Sequence, residues 1–367
     1  MKGKMSKLKG QVFKIHSDFY YVKFADNAKF FECKIREILK KQQEKVMVGD
    51  FVECSDINPQ KHTAVIENIY PRKNFLTRPS VANVEQVIIV SSIKEPDLNF
   101  EQLNRYICLA KHHKIKTKLC FNKNDLSEDD SVIEKIFEIY EPLGFEIIFT
   151  SALEKLGIED FAQMLKGKMT VFCGTSGVGK SSLINSICPD LNLKTKPVSE
   201  KTGRGIHTTR HCEIIEIKRC EDAKMRRYGN IHASTYPRIH APIKIIDTPG
   251  FSNLKFDFLL PTQIDELFDE IKQHKSDCKF KDCLHIQEEG CNVLAHIDEI
   301  DLSRYQSYLA FVQEAKGFKE KIKTEGTKKE SFHKKTLNKK VAKISNKKRQ
   351  SARNTLKQQL YKDLEHA

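Results

Sequence analysis

A glycine-rich run at residues 174–181, Gly-Thr-Ser-Gly-Val-Gly-Lys-Ser, narrows the folds open to this chain more than any other segment. An apolar strand-like segment precedes it and a helix-like segment follows, which is the order of a phosphate-binding loop on an α/β sheet. In such a loop the backbone N–H groups surround the β-phosphate, Lys180 reaches the β- and γ-phosphates, and Ser181 binds Mg²⁺. A plain glycine-rich turn is the alternative, but it leaves the strand, loop and helix order unexplained. We therefore predict a P-loop in a parallel α/β domain.

Two further motifs point to the base of the nucleotide. Residues 122–125 (Asn-Lys-Asn-Asp) and 150–152 (Thr-Ser-Ala) each follow an apolar segment, which predicts a place at the carboxyl end of a strand, where ligands bind in open α/β sheets. Asp125 is predicted to accept hydrogen bonds from the N1–H and exocyclic amine of guanine, and the Lys123 stem to pack along the ring. The Ala152 N–H is predicted to meet guanine O6. Adenine does not offer this edge, so the two motifs together favour GTP over ATP.

A candidate magnesium and switch region lies after the P-loop. An Asp-Thr-Pro-Gly motif follows an apolar segment, which predicts that Asp247 joins the Mg²⁺ shell and that the Gly250 N–H faces the γ-phosphate. A strand ending in a Pro-Gly turn is the alternative. Residues 203–210 (Gly-Arg-Gly-Ile-His-Thr-Thr-Arg) suit a switch whose Thr hydroxyl binds Mg²⁺ when GTP is present. Either Thr208 or Thr209 is the ligand, and we prefer Thr209.

These motifs run in a circularly permuted order, because the base-reading motifs precede the P-loop, with which ordinary GTPases begin. The chain resembles the RsgA/YjeQ family of small-ribosomal-subunit biogenesis GTPases, which share the permutation. The resemblance covers residues 10 to about 310 and is carried by the runs SGVGKSSLIN, GRGIHTT and PRKNFLTRPSVANVEQ. It implies GTP hydrolysis stimulated by the small (30S) ribosomal subunit, a role in late maturation of that subunit, and contact with its 16S rRNA.

The expected architecture has several domains. Short strand-like segments up to residue 79 predict a small β-barrel, and alternating strands and helices from Val84 onward predict a parallel α/β sheet. Combined with the resemblance, this predicts an OB-fold barrel (1–79), a circularly permuted P-loop GTPase domain (80–259), a helical zinc-binding domain (260–315) and a basic C-terminal tail (316–367). The predicted barrel strands are 11–13, 19–24, 30–35, 48–53 and 63–66.

The residue that orients the attacking water is not the usual one. Phe251 follows the Asp-Thr-Pro-Gly motif, where many GTPases place a Gln. The resemblance implies His207 instead, since a neutral imidazole accepts a hydrogen bond from water. The alternative is an exposed loop histidine with no role in hydrolysis. Intrinsic turnover is therefore expected to be slow, with the ribosomal subunit as activator.

Two features depart from the family pattern. Residues 219–240 are longer than the hairpin expected before the Asp-Thr-Pro-Gly motif; they are either a basic RNA contact or a surface insertion, and we favour an insertion. Arg210 stands where the family often has a third Thr, which leaves the two preceding threonines as candidate ligands.

The motifs and the resemblance together give a set of predicted site residues. The predicted GTP contacts are Asn122, Lys123, Asp125, Ser151, Ala152, Gly174, Thr175, Ser176, Gly177, Val178, Gly179, Lys180, Ser181, Ser182 and Gly250. The predicted catalytic residues are Lys180 and His207, and the predicted Mg²⁺ ligands are Ser181, Thr209 and Asp247.

A second cluster has metal-ligand spacing. Cys278, Cys283, His285 and Cys291 offer three thiolates and one imidazole, enough for a closed tetrahedral Zn²⁺ site. The alternative is two buried cysteines and a surface histidine. A disulfide framework is disfavoured because the chain is long and has no secretory signal. With no open ligand position, the single Zn²⁺ is predicted to be structural.

The charge balance favours a polyanionic partner. The chain has 63 Lys and Arg residues against 49 Asp and Glu residues, and the resulting net charge of +14 attracts nucleic acid. The Lys-rich stretch 316–353 is either an rRNA-contacting arm or a solvated tail, and we favour rRNA contact. Neither a signal peptide nor an apolar run of about 20 residues is found, so we expect a cytoplasmic protein with no membrane partner. We also expect a monomer.

Two other functions compete with a ribosomal GTPase. In one, the barrel and basic tail chaperone RNA while the nucleotide domain is a relic, but the intact Lys180, Ser181, Asp247 and Asp125 argue against it. In the other, the chain is a P-loop ATPase or a metabolic kinase, which needs neither base-reading motif. Competition between GTP and ATP separates this last function from a ribosomal GTPase.

Overall fold

A computed structural model describes residues 7–25, 27, 29–37, 39, 45–76, 79–193, 212–217, 242–247, 255–256, 258–325, 333–336 and 339–342. The chain forms two compact units, residues 1–254 and 255–367. Several predicted features lie outside the described residues. They are His207, Thr208, Thr209, Gly250, residues 219–240 and most of the basic tail. Among the helices that are described, none combines the length and hydrophobicity needed to cross a bilayer.

The first unit contains a closed five-stranded barrel. Its strands are β1 (Leu8–His16), β2 (Phe19–Phe24), β3 (Phe30–Ile35), β4 (Phe51–Asn58) and β5 (Thr63–Ile69). They pair in the order β1-β2-β3-β5-β4 and close through β4 with β1, with only the β3–β5 pairing parallel. Alternation along the strands turns one set of side chains inward, and the buried core includes Val12, Val22, Phe31, Val52 and Ile66. The predicted OB-fold barrel is confirmed.

The fourth barrel strand starts later than its sequence pattern predicts. The pattern placed it from Val48, but β4 begins at Phe51. Gly49 adopts φ +91°, and its N–H donates to the Val12 carbonyl, so the chain turns there instead of extending. Val48 instead forms an isolated bridge with Val81.

The α/β domain follows a short hairpin of β6 (Phe75–Leu76) and β7 (Val81–Ala82). Its sheet comprises β8 (Gln86–Ser92), β9 (Lys116–Asn122), β10 (Glu146–Phe149), β11 (Met169–Cys173), β12 (Glu213–Ile217) and β13 (Ile243–Asp247). The order is β10-β9-β8-β11-β13-β12, and all neighbours pair in parallel except β12 with β13. The helices are α1 (Phe100–His112), α2 (Ser131–Tyr140), α3 (Ile158–Leu165) and α4 (Lys180–Ile187). The motif loops after β9, β10, β11 and β13 therefore leave the same edge of the sheet.

The barrel is continuous with this sheet. Strand β1 pairs with β12 where Lys14 faces Glu213, and the two side chains form an ion pair at 2.8 Å. A second ion pair joins Lys23 of the barrel to Glu216. Phe13 is buried in the same core as apolar side chains of β12 and β13. The barrel is thus packed against the strand that follows the predicted switch.

The second unit is mainly helical. It contains α5 (Asp269–Lys275), α6 (Asn292–Ala295) and the long α7 (Leu302–Glu325), followed by paired strands β14 (His333–Thr336) and β15 (Lys339–Ala342). Buried aromatic rings form its core; they are Phe256, Phe268, Tyr308 and Phe311. The buried Arg304 guanidinium pairs with the Glu270 carboxylate and lies over the Phe268 ring. Helix α7 runs beyond residue 315, and the boundaries drawn from the sequence at 79, 259 and 315 stay predictions.

Candidate nucleotide site and metal centre

At two positions of the P-loop, both the backbone conformation and the lack of space require glycine. At Gly174, φ is +142° and an added Cβ would lie 2.1 Å from the Val90 carbonyl oxygen of β8. At Gly179, φ is +91° and an added Cβ would lie 2.2 Å from the Asn122 amide nitrogen at the end of β9. Any side chain at these positions would be both strained and in collision. The loop is therefore held tightly against β8 and against the Asn122 side chain at the end of β9.

The Lys180 amine lies inside this loop. It donates hydrogen bonds to the carbonyl oxygens of Gly174 at 2.8 Å and Thr175 at 2.7 Å. Ser181 and Ser182 are half-buried on the first turn of α4. A cation, the start of a helix and turn backbone in the left-handed region of φ are together the features that bind phosphate. Ser176 is exposed at the tip, and Gly177 has φ +89°.

Asn122 joins the P-loop to the base-reading loops. This side chain is buried, and its amide nitrogen donates to the Val178 carbonyl oxygen at 2.9 Å. Its amide oxygen accepts from the Thr150 hydroxyl and from the Ala152 N–H, each at 3.2 Å. One residue thus connects three loops that are far apart in sequence. The structure brings these three predicted motifs together in one site.

The two other predicted base contacts of this motif, Lys123 and Asp125, lie nearer the surface than Asn122. Lys123 has φ +61°, and its amine donates to the Glu95 carbonyl oxygen. Asp125 follows in a short 3₁₀ turn, and its side chain is exposed. The Asn124 N–H donates to the Thr150 carbonyl oxygen at 3.0 Å, which holds the turn against the neighbouring loop. An exposed carboxylate on a fixed turn suits a ligand that arrives from solvent.

The Thr-Ser-Ala loop is closed on itself. Ser151 is fully buried, and it exchanges backbone hydrogen bonds with Leu156 at 3.0 and 3.1 Å. The Ser151 hydroxyl also accepts from the Glu154 N–H. The Ala152 N–H, predicted to meet guanine O6, points to the Asn122 amide oxygen at 3.2 Å. A guanine oxygen would share this donor with Asn122.

The predicted magnesium side of the site is described only in part. Asp247 ends β13, which runs parallel to β11, so the Asp247 backbone lies close to the start of the P-loop. Its side chain is outside the described residues, as are Gly250, Thr209 and His207. Their predicted roles in binding Mg²⁺ and in hydrolysis stay predictions.

A compact cluster in the second unit fits a tetrahedral metal ion. The ligand atoms of Cys278, Cys283, His285 and Cys291 all lie within 4.8 Å of one another. The Cys278 and Cys291 sulfurs are 3.9 Å apart, and the His285 Nδ1 lies 3.6 and 3.4 Å from them. A tetrahedral zinc ion with ordinary bond lengths needs edges of about 3.8 Å between sulfurs and about 3.6 Å between sulfur and nitrogen. Burial raises the pKa of the Cys283 thiol to about 12, so a bound cation must displace its proton.

Side chains around the cluster orient its histidine and its loop. The His285 Nε2 is buried and faces the Asp265 carboxylate at 3.6 Å, which accepts from the Lys275 amine at 3.2 Å. With Nδ1 as ligand, the Nε2 proton points at this carboxylate, which is a common arrangement at metal sites. From α7, the Tyr305 and Tyr308 hydroxyls donate to the carbonyl oxygens of the ligand loop at 2.7 and 2.8 Å.

Glu288 organises the loop between the last two ligands. Its carboxylate accepts backbone hydrogen bonds from Leu284 at 2.9 Å, Ile286 at 2.8 Å and Gln287 at 3.1 Å. Burial alone would raise the pKa of this carboxyl, but the N–H donors outweigh it and lower the pKa of Glu288 to about 2. The Glu288 carboxylate is therefore charged at neutral pH and acts as a template, the acceptor around which these three backbone N–H groups are arranged.

Comparison with known proteins adds to this geometry. Residues 9–65 match the family described as RsgA N-terminal domain, 69–222 match RsgA GTPase, and 169–324 match 50S ribosome-binding GTPase. A relative from Alkaliphilus metalliredigens, "Small ribosomal subunit biogenesis GTPase RsgA", is 38% identical over 310 residues, covering 84% of this chain and 98% of that protein. The chain belongs to the RsgA family. It is a GTP hydrolase, and the RsgA resemblance is confirmed.

Two solved structures share the RsgA fold of this chain. YjeQ from Thermotoga maritima matches with a TM-score of 0.68 and 31% identity, over 85% of this chain and 99% of that one. YloQ, described as a circularly permuted GTPase, matches with a TM-score of 0.65 and 30% identity, over 86% and 98% of the two chains. The predicted circular permutation is therefore confirmed, and it explains why the base-reading motifs of this RsgA chain precede its P-loop.

Three residues were not predicted from the sequence: one beside the nucleotide loops and two around the metal cluster. Glu95 contributes through its backbone carbonyl, so its side chain carries no signal. Asp265 lies on a 3₁₀ turn well before the ligands in sequence, and only folding brings it to His285. Glu288 sits between two predicted ligands, and a lone carboxylate in a short ligand loop was a signal that could have found it.

Removing the Glu288 template should weaken metal binding. We expect Glu288→Ala to lower the zinc affinity of the folded chain by about 10- to 100-fold, since three backbone N–H groups lose their acceptor. Competition against a chromophoric chelator measures this. Glu289→Ala, at the exposed neighbouring carboxylate, is the matched control and should leave the affinity unchanged. Equal affinities for both variants would contradict the template role.

Proposed function

We propose that this GTPase binds the small ribosomal subunit and acts in its late maturation, and that the subunit stimulates hydrolysis of GTP to GDP and phosphate. The observation that carries the proposal is the name of the A. metalliredigens relative, which aligns over 98% of its own length. The match of residues 169–324 to a family described as 50S ribosome-binding GTPase favours the large subunit as the second candidate. That match covers only part of the chain, so the small subunit takes precedence.

The geometry of the three loops supports the following proposed nucleotide contacts. Guanine binds at the Asp125 carboxylate and beside the Lys123 stem, with O6 at the Ala152 N–H. The phosphates bind in the loop 174–182, where the Lys180 amine exchanges its two carbonyl partners for phosphate oxygens. Asn122 keeps both halves of this site in register. Support comes from its three hydrogen bonds, which fix the spacing between the base loops and the P-loop.

Hydrolysis proceeds by attack of water on the γ-phosphorus. The bond from that phosphorus to the β–γ bridging oxygen breaks, GDP keeps the electron pair, and the water proton passes to the phosphate released. Ser181, Asp247 and Thr209 are the residues proposed to hold Mg²⁺, which would supply positive charge to neutralise the β- and γ-phosphates. The Lys180 amine stabilises charge that develops on the γ-phosphoryl oxygens. His207 is proposed to orient the water by accepting its hydrogen bond.

We further propose a metal ion, an RNA contact, an oligomeric state and a cellular location for this protein. The Cys₃His cluster binds one structural Zn²⁺, since its donor set and its edge lengths match zinc. The basic tail contacts 16S rRNA, in keeping with the net charge of +14. The protein acts as a monomer in the cytoplasm, where its ribosomal partner is found.

Phosphate release with purified subunits tests the proposal. We expect slow release from GTP alone, at least about 100-fold faster release with small subunits, in the range that activators supply to GTPases, and no stimulation by large subunits. ATP should support no release above background, because its base lacks the edge read by Asp125. The assay is run at fixed salt, since phosphate contacts depend on ionic strength.

Two variants make this assay decisive. Lys180→Ala should abolish release under every condition and so sets the background. His207→Ala should keep the slow intrinsic rate and lose most of the stimulation. Equal stimulation by both subunits, or by the large one alone, would overturn the small-subunit assignment.

A further inference from the structure

A basic and aromatic surface lies at the edge of the sheet opposite the nucleotide loops. We define the Phe75 patch as Lys73, Phe75, His112, His113, Lys114 and Lys116. Helix α1 ends at His112 and β9 begins at Lys116, so this turn enters the sheet at the amino end of a parallel strand. The nucleotide motifs leave the sheet at its carboxyl ends. The patch is therefore separate from the nucleotide site.

The aromatic part of the patch is the partly exposed Phe75 ring and the two histidine rings next to it. Phe75 is 43% exposed, and its centroid lies 6.4 Å from that of His113 at an interplanar angle of 57°. His113 is in turn 5.0 Å from His112. Burial lowers the pKa of both histidines, and for His113 the neighbouring His112 lowers it further, so both rings are neutral at pH 7. They present π-faces rather than charge, which suits stacking on a flat base.

The charged part of the patch has a single sign. Segments 70–76 and 111–118 contain six Lys and Arg residues and no Asp or Glu, although one of the six, Lys118, is buried and forms an ion pair with Glu146. Arg72 forms an ion pair with the buried Asp50 carboxylate, and its guanidinium lies over the Phe75 ring, 5.9 Å from the centroid, so a base would stack on the part of the ring that stays exposed. Lys73, Lys114 and Lys116 have exposed side chains and lie within four residues of an aromatic ring of the patch in sequence. Exposed cations around a half-exposed aromatic ring are the combination that binds single-stranded nucleic acid, through phosphates and stacked bases.

We propose that the Phe75 patch is a binding site for single-stranded RNA, in which an unpaired base stacks on the Phe75 ring and flanking phosphates meet Lys73, Lys114 and Lys116. Duplex RNA does not fit, because its bases are stacked on one another and offer no free face. The proposal rests on the proposed function only for the source of the RNA, a ribosomal strand. The site lies where hairpin β6–β7 meets the turn between α1 and β9 of the α/β domain, outside the barrel strands that the OB-fold resemblance would nominate.

The absence of tryptophan from the sequence gives a direct test. Phe75→Trp places the sole indole of the full-length protein in the patch, and stacking of a base quenches its fluorescence. Phe137→Trp is the matched control: Phe137 is 39% exposed on α2, with Glu134 and Glu141 one turn away on the same face. We expect single-stranded oligouridine to quench the Phe75→Trp protein by at least about half and the Phe137→Trp protein hardly at all, because stacking on an aromatic ring needs direct contact. RNA bound elsewhere on the chain leaves both signals unchanged.

A second set of variants separates stacking from simple packing. Each variant without tryptophan competes with the Phe75→Trp protein for a limiting amount of oligouridine, and the recovery of tryptophan fluorescence gives the affinity of that variant. We expect Phe75→Leu to bind about tenfold more weakly and Phe75→Tyr to bind like the parent, since only the aromatic variant keeps a stacking face. Lys114→Ala should reduce the slope of log affinity against log salt concentration by about 1, the change expected when one phosphate contact is lost.

The outcomes are decisive in both directions. Quenching of both tryptophan proteins alike, of neither, or by duplex RNA as strongly as by single strands would overturn the proposal. The slow intrinsic release of phosphate from GTP should be unchanged in each variant, which shows that the fold is intact. Subunit stimulation of that release is measured separately, so the proposed function and the Phe75 patch fail or stand independently.

Discussion

Asp125→Asn is expected to change the base preference of the protein from guanine to xanthine. The carboxylate accepts two hydrogen bonds from the guanine edge, and its loss should weaken GTP binding by about 3 kcal/mol, roughly a hundredfold. Xanthine carries an oxygen where guanine has its exocyclic amine, and the new side-chain amide would donate to that oxygen. XTP binding should therefore improve while GTP binding falls. The exposed position of Asp125 on a turn held by Thr150 makes a fold-wide effect of this change small.

Equilibrium competition with GTP, XTP and ATP measures the change. Glu128→Gln is the matched control, because it removes one carboxylate charge from the same loop at a side chain that is 82% exposed. That variant should keep the GTP preference of the parent. Retention of GTP affinity in Asp125→Asn would show that another residue reads the base, and a loss for GTP without any gain for XTP would point to a disturbed loop.

Loss of the metal should unfold the ligand region of the second unit. Three of the four ligands are buried, and the segment between them packs few apolar side chains of its own. A structural zinc ion contributes about 10 kcal/mol or more to folding in small zinc domains, so Cys291→Ala should remove the ion and the order that depends on it. We expect amide protection over residues 265–300 to fall by at least about 100-fold. GTP affinity should persist, because every proposed nucleotide contact lies in the first unit.

Metal analysis, hydrogen exchange and GTP titration on one preparation test this. Cys212→Ala, a cysteine outside the cluster, is the control and should keep one zinc per chain. A Cys291→Ala protein that retains both zinc and protection would refute the assigned ligand set. A protein that retains protection without zinc would show that the packing of Phe268, Tyr308 and Phe311 suffices.

Much of the P-loop and of the metal cluster could be predicted because the residues of each lie close together in the sequence. A P-loop needs glycines at fixed spacing, since Gly174 and Gly179 approach other strands too closely for a side chain. The four candidate metal ligands fall within fourteen residues, from Cys278 to Cys291, so their spacing alone indicates the cluster. The barrel strands could be located because one-sided burial imposes alternation. The start of β4 was misplaced, as alternation does not register a turn such as the one at Gly49.

The amino-acid sequence alone was enough to establish the chemical parts and their permuted order: a P-loop, two base-reading motifs, a Cys₃His cluster and a basic composition. How these parts act together depends on the tertiary fold. Asn122 contacts Val178, Thr150 and Ala152 because parallel strands end at one edge of a sheet. Asp265 meets His285, and Phe75 meets His113, across gaps in sequence that no periodicity spans. Such contacts depend on how strands and helices pack, and packing is a property of the whole chain rather than of any segment.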